Sequence, residues 1–174
     1  WSHNRAMTLL DLHAPIVAGQ SAAGFRLGMS TREIEPLLLG AMRSRHVPTP
    51  INARLATGQT FVVTDEANRV RTVFFGEDVR LGFNEQEKLY YVGLSGGYKG
   101  LYLAKFAIGS PMSALDELQP LEFDDGDEMN YPRDQSANGV PRIAGDRAVF
   151  VLASRLPSQR IVGKAPHAAV RQGF

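Results

Sequence analysis

The sequence predicts an α+β fold: a twisted, mainly antiparallel sheet system with two helices. Three observations lead to this prediction. Five short runs rich in β-branched and aromatic residues follow one another between Ala53 and Leu94, with short connections. Two separate segments each combine an apolar run, a glycine and a helix start. A late apolar run, Arg147–Ala153, predicts a further strand.

The first glycine-containing segment predicts a strand, a turn and a helix. Gly24–Leu27 alternates apolar and polar residues, and Gly28 ends the alternation. Ser30 then begins an S-x-x-E capping box, in which it is the N-cap of a helix. We expect the helix to fade near Arg45, with its start distorted or kinked by Pro36.

The central part of the chain predicts an antiparallel meander. Its runs are "ARLATG", "TFVVTD", "RVRTVFF", "DVRLGF" and "KLYYVGL", and each has an ordinary strand length. Consecutive strands with short connections pair most simply as neighbours. Arg69, Arg71 and Arg80 alternate with apolar residues, so we expect one sheet face to be solvated and basic. No aromatic–basic recognition motif accompanies these arginines, which argues against a nucleic-acid site.

The second glycine-containing segment repeats the pattern of the first. "LYLAKFAIG" predicts a strand that ends at Gly109, and Ser110–Pro111 predicts a helix start, with Pro120 ending that helix. Phe106 lies 81 residues after Phe25, and the following apolar positions also match. We interpret the two strand–Gly turn–helix units as a pseudo-repeat in which Gly28 and Gly109 are structural turns. The alternative is that unrelated units converge on one pattern.

Composition excludes several functional classes. The chain has 174 residues and no cysteine, so disulfides, thiolate metal sites and cysteine nucleophiles are excluded. The formal net charge of +1 gives no global attraction to nucleic acid or to an anionic membrane. No apolar run approaches the ~20 residues of a membrane helix. We expect a cytoplasmic protein without cofactor or metal, and without a nucleic-acid or membrane partner.

The chain is expected to contain one folded unit. Residues 1–6 precede Met7 and are interpreted as a remnant of cloning. Residues 7–164 are predicted to form a single α+β domain. Residues 165–174 are predicted to be a flexible tail.

Four segments together resemble a known family. They are "SAAGFRLGMSTREIEPLL", "GGYKGLYLAKFAIGSPMSALDEL", "LEFDDGDEMNYP" and "AVFVLASRLPSQRIVG", within residues 19–164. This order resembles bacterial immunity proteins encoded beside polymorphic contact-delivered toxins, such as Rhs-type effectors of type VI secretion or contact-dependent inhibition. The resemblance implies a cytoplasmic, non-enzymatic protein. Its implied partner is the cognate toxin domain of a secreted effector, whose active site it would occlude.

An acidic segment is the first candidate for toxin binding. It contains five carboxylates: Glu122, Asp124, Asp125, Asp127 and Glu128. A negative patch of this kind would steer onto a basic active-site groove and compete with substrate phosphates. The alternatives are a solvated edge or turn and a hard-cation site, although EF-hand spacing is absent.

Tyrosines are the second candidate, because an exposed tyrosine offers large contact area and loses little entropy on binding. Tyr91, Tyr98 and Tyr131 are the predicted toxin-contacting tyrosines. Tyr90 and Tyr91 are adjacent in a predicted strand, so one of the two should face outward.

An enzymatic alternative rests on "GLSGG" at Gly93–Gly97, which fits the G-x-S-x-G nucleophile elbow with Ser95 as nucleophile. That motif requires a helix directly after the serine, whereas the following residues predict a strand. A triad also requires a histidine, and the chain's histidines are scattered, with no zinc-binding spacing. An effector-loading adaptor or chaperone is the remaining alternative.

Overall fold

The computed structural model describes residues 9–47, 51–67, 69–95, 97–117, 120–124, 129–132, 143–144 and 150–153. It shows an α+β fold with mainly antiparallel sheets, as the sequence predicts. The strands are β1 (Ser21–Ala22), β2 (Phe25–Arg26), β3 (Met42–Ser44), β4 (Thr60–Asp65), β5 (Val70–Phe75), β6 (Val79–Phe83), β7 (Leu89–Leu94), β8 (Leu121–Asp124), β9 (Met129–Pro132), β10 (Ile143–Ala144) and β11 (Phe150–Ala153). The helices are α1 (Thr31–Ile34), a 3₁₀ helix (Glu35–Leu38), α2 (Ile51–Leu55) and α3 (Met112–Asp116). No helix within these ranges is long and apolar enough to cross a membrane.

The largest sheet has six strands in the order β11-β7-β6-β5-β4-β3. Strands β4, β5 and β6 each pair antiparallel with the next strand in sequence, which confirms the predicted meander over β4 to β7. The register places Phe61 opposite Phe74 and Val62 opposite Val73. Because side chains alternate between faces, Phe61 and Phe74 lie on one face and Val62 and Val73 on the other.

The main core lies on the face that carries Val62 and Val73. The sheet contributes buried valine, leucine and phenylalanine side chains to it, and the segments before β3 and after β7 cover them. The buried residues that these covering segments contribute are Ile16, Ala22, Ala23, Phe25, Met29, Ile34, Leu38, Tyr98, Tyr102, Phe106 and Leu115. Phe25 stacks on Phe75 with ring centroids 5.6 Å apart. We call these two segments the covering layer.

The opposite face of the sheet is covered differently. Leu55 of α2 packs with Phe61, Val63 and Phe74 in a small second core cluster. This cluster occupies the β4–β5 half of the face. The β6–β7 half of the same face carries Arg80, which pairs with Phe74 across the strands.

The helical predictions need two corrections. The first helix ends at Leu38, not near Arg45, and its second half is a 3₁₀ turn with Pro36 in its first positions. Proline lacks the N–H that an α-helix needs, so the α-helical pattern stops before it. The chain then forms β3, parallel to β4 at the sheet edge.

The predicted strand "ARLATG" is wrong because its first residues belong to α2, a third helix rich in good helix formers.

The predicted strand "LYLAKFAIG" is also wrong. In that segment Tyr102 forms only isolated bridges, to Ile16 and to Phe106, around a turn. The pseudo-repeat is therefore not confirmed. One predicted feature is present in both segments: Gly28 and Gly109 each lie in a turn and each have φ of 85°.

Candidate functional site

The acidic segment lies on and between two paired strands. Strands β8 and β9 are antiparallel, with Glu122 opposite Tyr131 and Asp124 opposite Met129. The side chain of Glu122 is exposed. The structure thus brings two predicted contact positions, Glu122 and Tyr131, into register. The remaining acidic residues, Asp125, Asp127 and Glu128, belong to the connection and lie outside the described residues.

Tyr98 is not a surface residue, which corrects its predicted role in toxin contact. It is 2% exposed and belongs to the main core. Its hydroxyl accepts a hydrogen bond from the Ala23 N–H at 3.0 Å and donates one to the Ala14 carbonyl. Burial raises the pKa of Tyr98 above its usual value of 10.0. The phenol therefore holds the covering layer together instead of meeting a partner.

Tyr91 is half-buried and lies on the sheet face opposite the main core. The guanidinium carbon of Arg80 lies 5.6 Å from the Tyr91 ring centroid and 5.3 Å from that of Phe74. Both distances are within the range of a cation–π contact. The Tyr90 ring lies 6.3 Å from that of Tyr91 at an angle of 52°. We call Phe74, Arg80, Tyr90 and Tyr91 the Arg80 cluster.

A β-bulge and two glycines explain how adjacent tyrosines share this cluster. Gly82 pairs with Tyr91 while Phe83 pairs with Leu89, so Tyr90 is the extra, bulged residue. A Cβ atom at Gly82 would lie 3.3 Å from the Tyr90 ring and 3.1 Å from the Tyr91 Cβ. The sequence predicts that one of the two tyrosines faces outward, and Tyr91 does lie on the face away from the main core. The bulge interrupts the alternation, so the Tyr90 ring lies on that face as well.

The second glycine, Gly93, lets the Tyr91 ring lie directly against the backbone of β7. A Cβ atom at Gly93 would lie 2.8 Å from the Tyr91 hydroxyl oxygen and 3.1 Å from its Cε1. Gly93 pairs with Arg80 across the sheet, so the missing side chain leaves room beside the guanidinium. Neither Gly82 nor Gly93 has a positive φ. Glycine is needed at these two positions because the tyrosine rings approach the backbone closely, and not because the chain turns there.

The surface beside the cluster is mixed in charge. Arg80 borders a groove of about 440 Å³ that Phe74, Glu77 and Ser95 also line. Burial raises the pKa of Tyr90, and the positive charge of Arg80 acts in the opposite direction. An arginine held between aromatic rings suits recognition of another protein's carboxylates, carbonyls or rings. It supplies no nucleophile.

The predicted single basic face does not form. Arg71 pairs with Phe83, which belongs to the main core, whereas Arg80 pairs with Phe74 on the opposite face. The two arginines therefore lie on different faces of the sheet. Arg71 also contacts the Glu87 carboxylate at 3.5 Å.

Ser95 lacks the surroundings of a nucleophile elbow. Its hydroxyl donates to the backbone carbonyl of Glu77, and residues 97–100 contain no helix. The Gly97 N–H instead donates to the Asp78 carboxylate. The two histidines in the described ranges, His13 and His46, are both exposed, and neither is hydrogen-bonded to Ser95.

Acidic and histidine side chains do not gather into a metal site within the described residues, where no group of three or more such side chains has suitable placement. The sequence did not identify Arg80 as a site residue. The available signal was the occurrence of Gly82 and Gly93 in strands whose neighbours are aromatic. That signal becomes specific only once the register is known.

Comparison with known proteins gives no further assignment. No protein-family model, no curated protein and no solved structure matches the chain. Functional conclusions therefore depend on the chain's own residues.

Proposed function

We propose that this chain is an immunity protein that binds the cognate toxin domain of a secreted effector in the cytoplasm and occludes its active site. The observation that carries the proposal is the Arg80 cluster. Arginine and tyrosine are enriched among the residues that dominate protein–protein binding energies. Here both types lie together on the β6–β7 half of a sheet face.

Pre-organisation strengthens this argument. The Arg80 guanidinium lies near the rings of Phe74 and Tyr91. The Tyr90 ring packs against Gly82 and the Tyr91 ring against Gly93. A side chain that is already ordered loses less conformational entropy when a partner binds. The cluster therefore has the composition and the rigidity of an interface anchor.

The paired strands β8 and β9, which we call the acidic hairpin, support the proposal as a second contact. Glu122 is exposed, and the connection after Asp124 adds three carboxylates in sequence. Charge of this sign favours a basic partner groove, such as that of a toxin acting on nucleic acid. Complementary charge at an interface mainly accelerates association.

The test uses the toxin domain encoded beside this gene. Calorimetry measures its affinity for the unchanged chain and for Arg80→Ala, and co-expression measures growth rescue. We expect Arg80→Ala to weaken binding by about tenfold to a hundredfold. Arg32→Ala is the matched control, because Arg32 is an exposed arginine of α1 in the covering layer.

The acidic hairpin requires a separate kinetic measurement. Glu122→Gln combined with Asn at Asp124, Asp125 and Asp127 should slow association at low salt and leave the fold intact. If the unchanged chain neither binds the toxin domain nor rescues growth, the proposed function is wrong. Binding to the effector outside its toxin domain, without protection, would instead indicate an adaptor.

A further inference from the structure

The turn at Leu103 and Ala104 has an unfavourable backbone conformation. Their φ values are 51° and 55°, and the Lys105 N–H donates to the Tyr102 carbonyl at 3.1 Å. Positive φ at both central residues is the pattern of a type I′ turn, in which Asn-Gly is the preferred pair. Leucine and alanine carry a Cβ that clashes in this region.

The residues on either side hold this turn in place. The Tyr102 N–H donates to the Phe106 carbonyl at 2.8 Å, and the Phe106 N–H donates to the Tyr102 carbonyl at 2.9 Å. Tyr102 and Phe106 are both 3% exposed in the main core. Leu103, in contrast, is 51% exposed. The strain is therefore not offset by burial of the leucine, and strain of this kind concentrates at functional sites.

The turn forms one wall of a surface groove. The groove has a volume of about 550 Å³, and its apolar lining includes Ile16, Val17, Leu101, Leu103 and Ala104. Three of these residues, Val17, Leu101 and Leu103, are large hydrophobic side chains exposed by 36%, 39% and 51%. Isolated exposed apolar residues are ordinary, but a contiguous group marks an interaction site.

Among the described residues, the charged side chain in the lining of the groove is a lysine. Its lining includes Lys99 and His13 and no carboxylate. The nearest acidic side chain in sequence, Asp11, lies outside this lining and accepts a hydrogen bond from the backbone N–H of His13 at 2.8 Å. The ammonium nitrogen (Nζ) of Lys105, next to the turn, lies 5.3 Å from the Phe106 ring centroid. An acidic ligand complements this rim.

We propose that the groove and the Leu103 turn bind a segment of another protein that presents a large apolar side chain beside aspartate or glutamate. The exposed Leu103 favours a protein surface over a small amphiphile, because small-molecule sites enclose most of their ligand. The groove lies in the covering layer, on the other side of the sheet from the Arg80 cluster. It is therefore a second binding surface and does not depend on the proposed function.

The probe is a panel of 15-residue peptides with one Leu, Ile, Phe or Trp flanked by Asp and Glu. A matched panel carries Lys in place of every acid. Methyl NMR of the full chain follows Val17, Leu101 and Leu103 during each titration. We expect saturable shifts at these methyl groups with acidic peptides, and at least tenfold weaker binding with basic ones.

The decisive variant is Leu103→Asn with Ala104→Gly, which supplies the preferred turn pair. We expect its Tm to rise by about 3–6 °C and acidic-peptide affinity to fall at least about tenfold. Leu39→Asn is the matched control, because Leu39 is an exposed leucine outside the groove. Lys99→Glu should weaken binding mainly at low salt.

Three results would overturn the inference. The first is that no acidic peptide shifts the groove methyl groups. The second is that acidic and basic panels bind equally. The third is that the turn variant gains stability and keeps its affinity, since the leucine would then have no role in binding.

Discussion

The hydroxyl of Tyr98 accepts a hydrogen bond from the backbone N–H of Ala23 at 3.0 Å, across 75 positions of sequence. The same hydroxyl donates to the Ala14 carbonyl. One phenol thus joins two points of the N-terminal part of the covering layer to the loop after β7. Ala23 is fully buried, so its N–H has no access to water as an alternative partner.

Replacing Tyr98 by phenylalanine should destabilise the fold by about 1–3 kcal/mol, because the buried Ala23 N–H loses its partner. Urea denaturation followed by circular dichroism measures the change. Tyr91→Phe is the control, since its ring lies in the Arg80 cluster and its hydroxyl forms no hydrogen bond within the described part of the chain. Equal losses in the two variants would contradict the role given to Tyr98.

Stability should also fall in alkali. Burial raises the pKa of Tyr98 and of Tyr102 above 10.0, so the folded state favours the neutral phenol. Their contribution is fully present below the unfolded-state pKa and is lost as pH rises through the folded-state pKa. Thermal melts between about pH 8 and pH 12 measure this loss. Tyr98→Phe should show a shallower decline above pH 10, and an unchanged slope would exclude Tyr98 as a contributor.

Gly93→Ala should displace the Tyr91 ring. The new Cβ would lie 2.8 Å from the Tyr91 hydroxyl oxygen, which is closer than real Cβ contacts. We expect a loss of about 1–3 kcal/mol in unfolding free energy, typical of overpacking. Combining Gly93→Ala with Tyr91→Phe should recover part of that loss, since the nearest atom is removed. A strictly additive double variant would show that the ring does not occupy this space.

Gly28→Val and Gly109→Val should each destabilise the fold through backbone strain alone. Both glycines have φ of 85°, and no atom of the described residues lies within 4 Å of an added Cβ at either. We expect about 1–2 kcal/mol for each, and additivity in the double variant. Gly100→Ala is the contrasting case, because its Cβ would lie 1.9 Å from the Ala14 carbonyl oxygen. A smaller effect at Gly100 than at Gly28 would contradict this ranking.

Local patterns were sufficient to predict the meander and the α1 start. Strands β4 to β7 combine period-two alternation with short turns, so both strand identity and neighbour pairing follow from sequence. The Ser30 capping box forms as predicted, with the Ser30 N–H donating to the Glu33 carboxylate at 2.8 Å. The segment from Leu101 to Gly109 was mispredicted, because the turn at Leu103 and Ala104 contains neither Asn nor Gly.

The candidate sites depended on information that sequence does not contain. Burial separates Tyr98 from Tyr91, although the two tyrosines are only seven positions apart in the sequence. The Arg80 cluster requires the cross-strand register and the bulge at Tyr90. The Leu103 groove requires the bridge between Ile16 and Tyr102, which joins distant parts of the chain.

That bridge, together with the pairing of Ser30 with Lys88, has a consequence for biosynthesis. The meander can assemble from consecutive hairpins, whereas the N-terminal residues must wait for partners synthesised much later. Until then, apolar residues such as Phe25 and Ile34 lack the sheet against which they pack in the native fold, a condition that favours aggregation or chaperone capture. We therefore expect the residues before β3 to reach their native positions only after β7 and the loop that follows it have been synthesised.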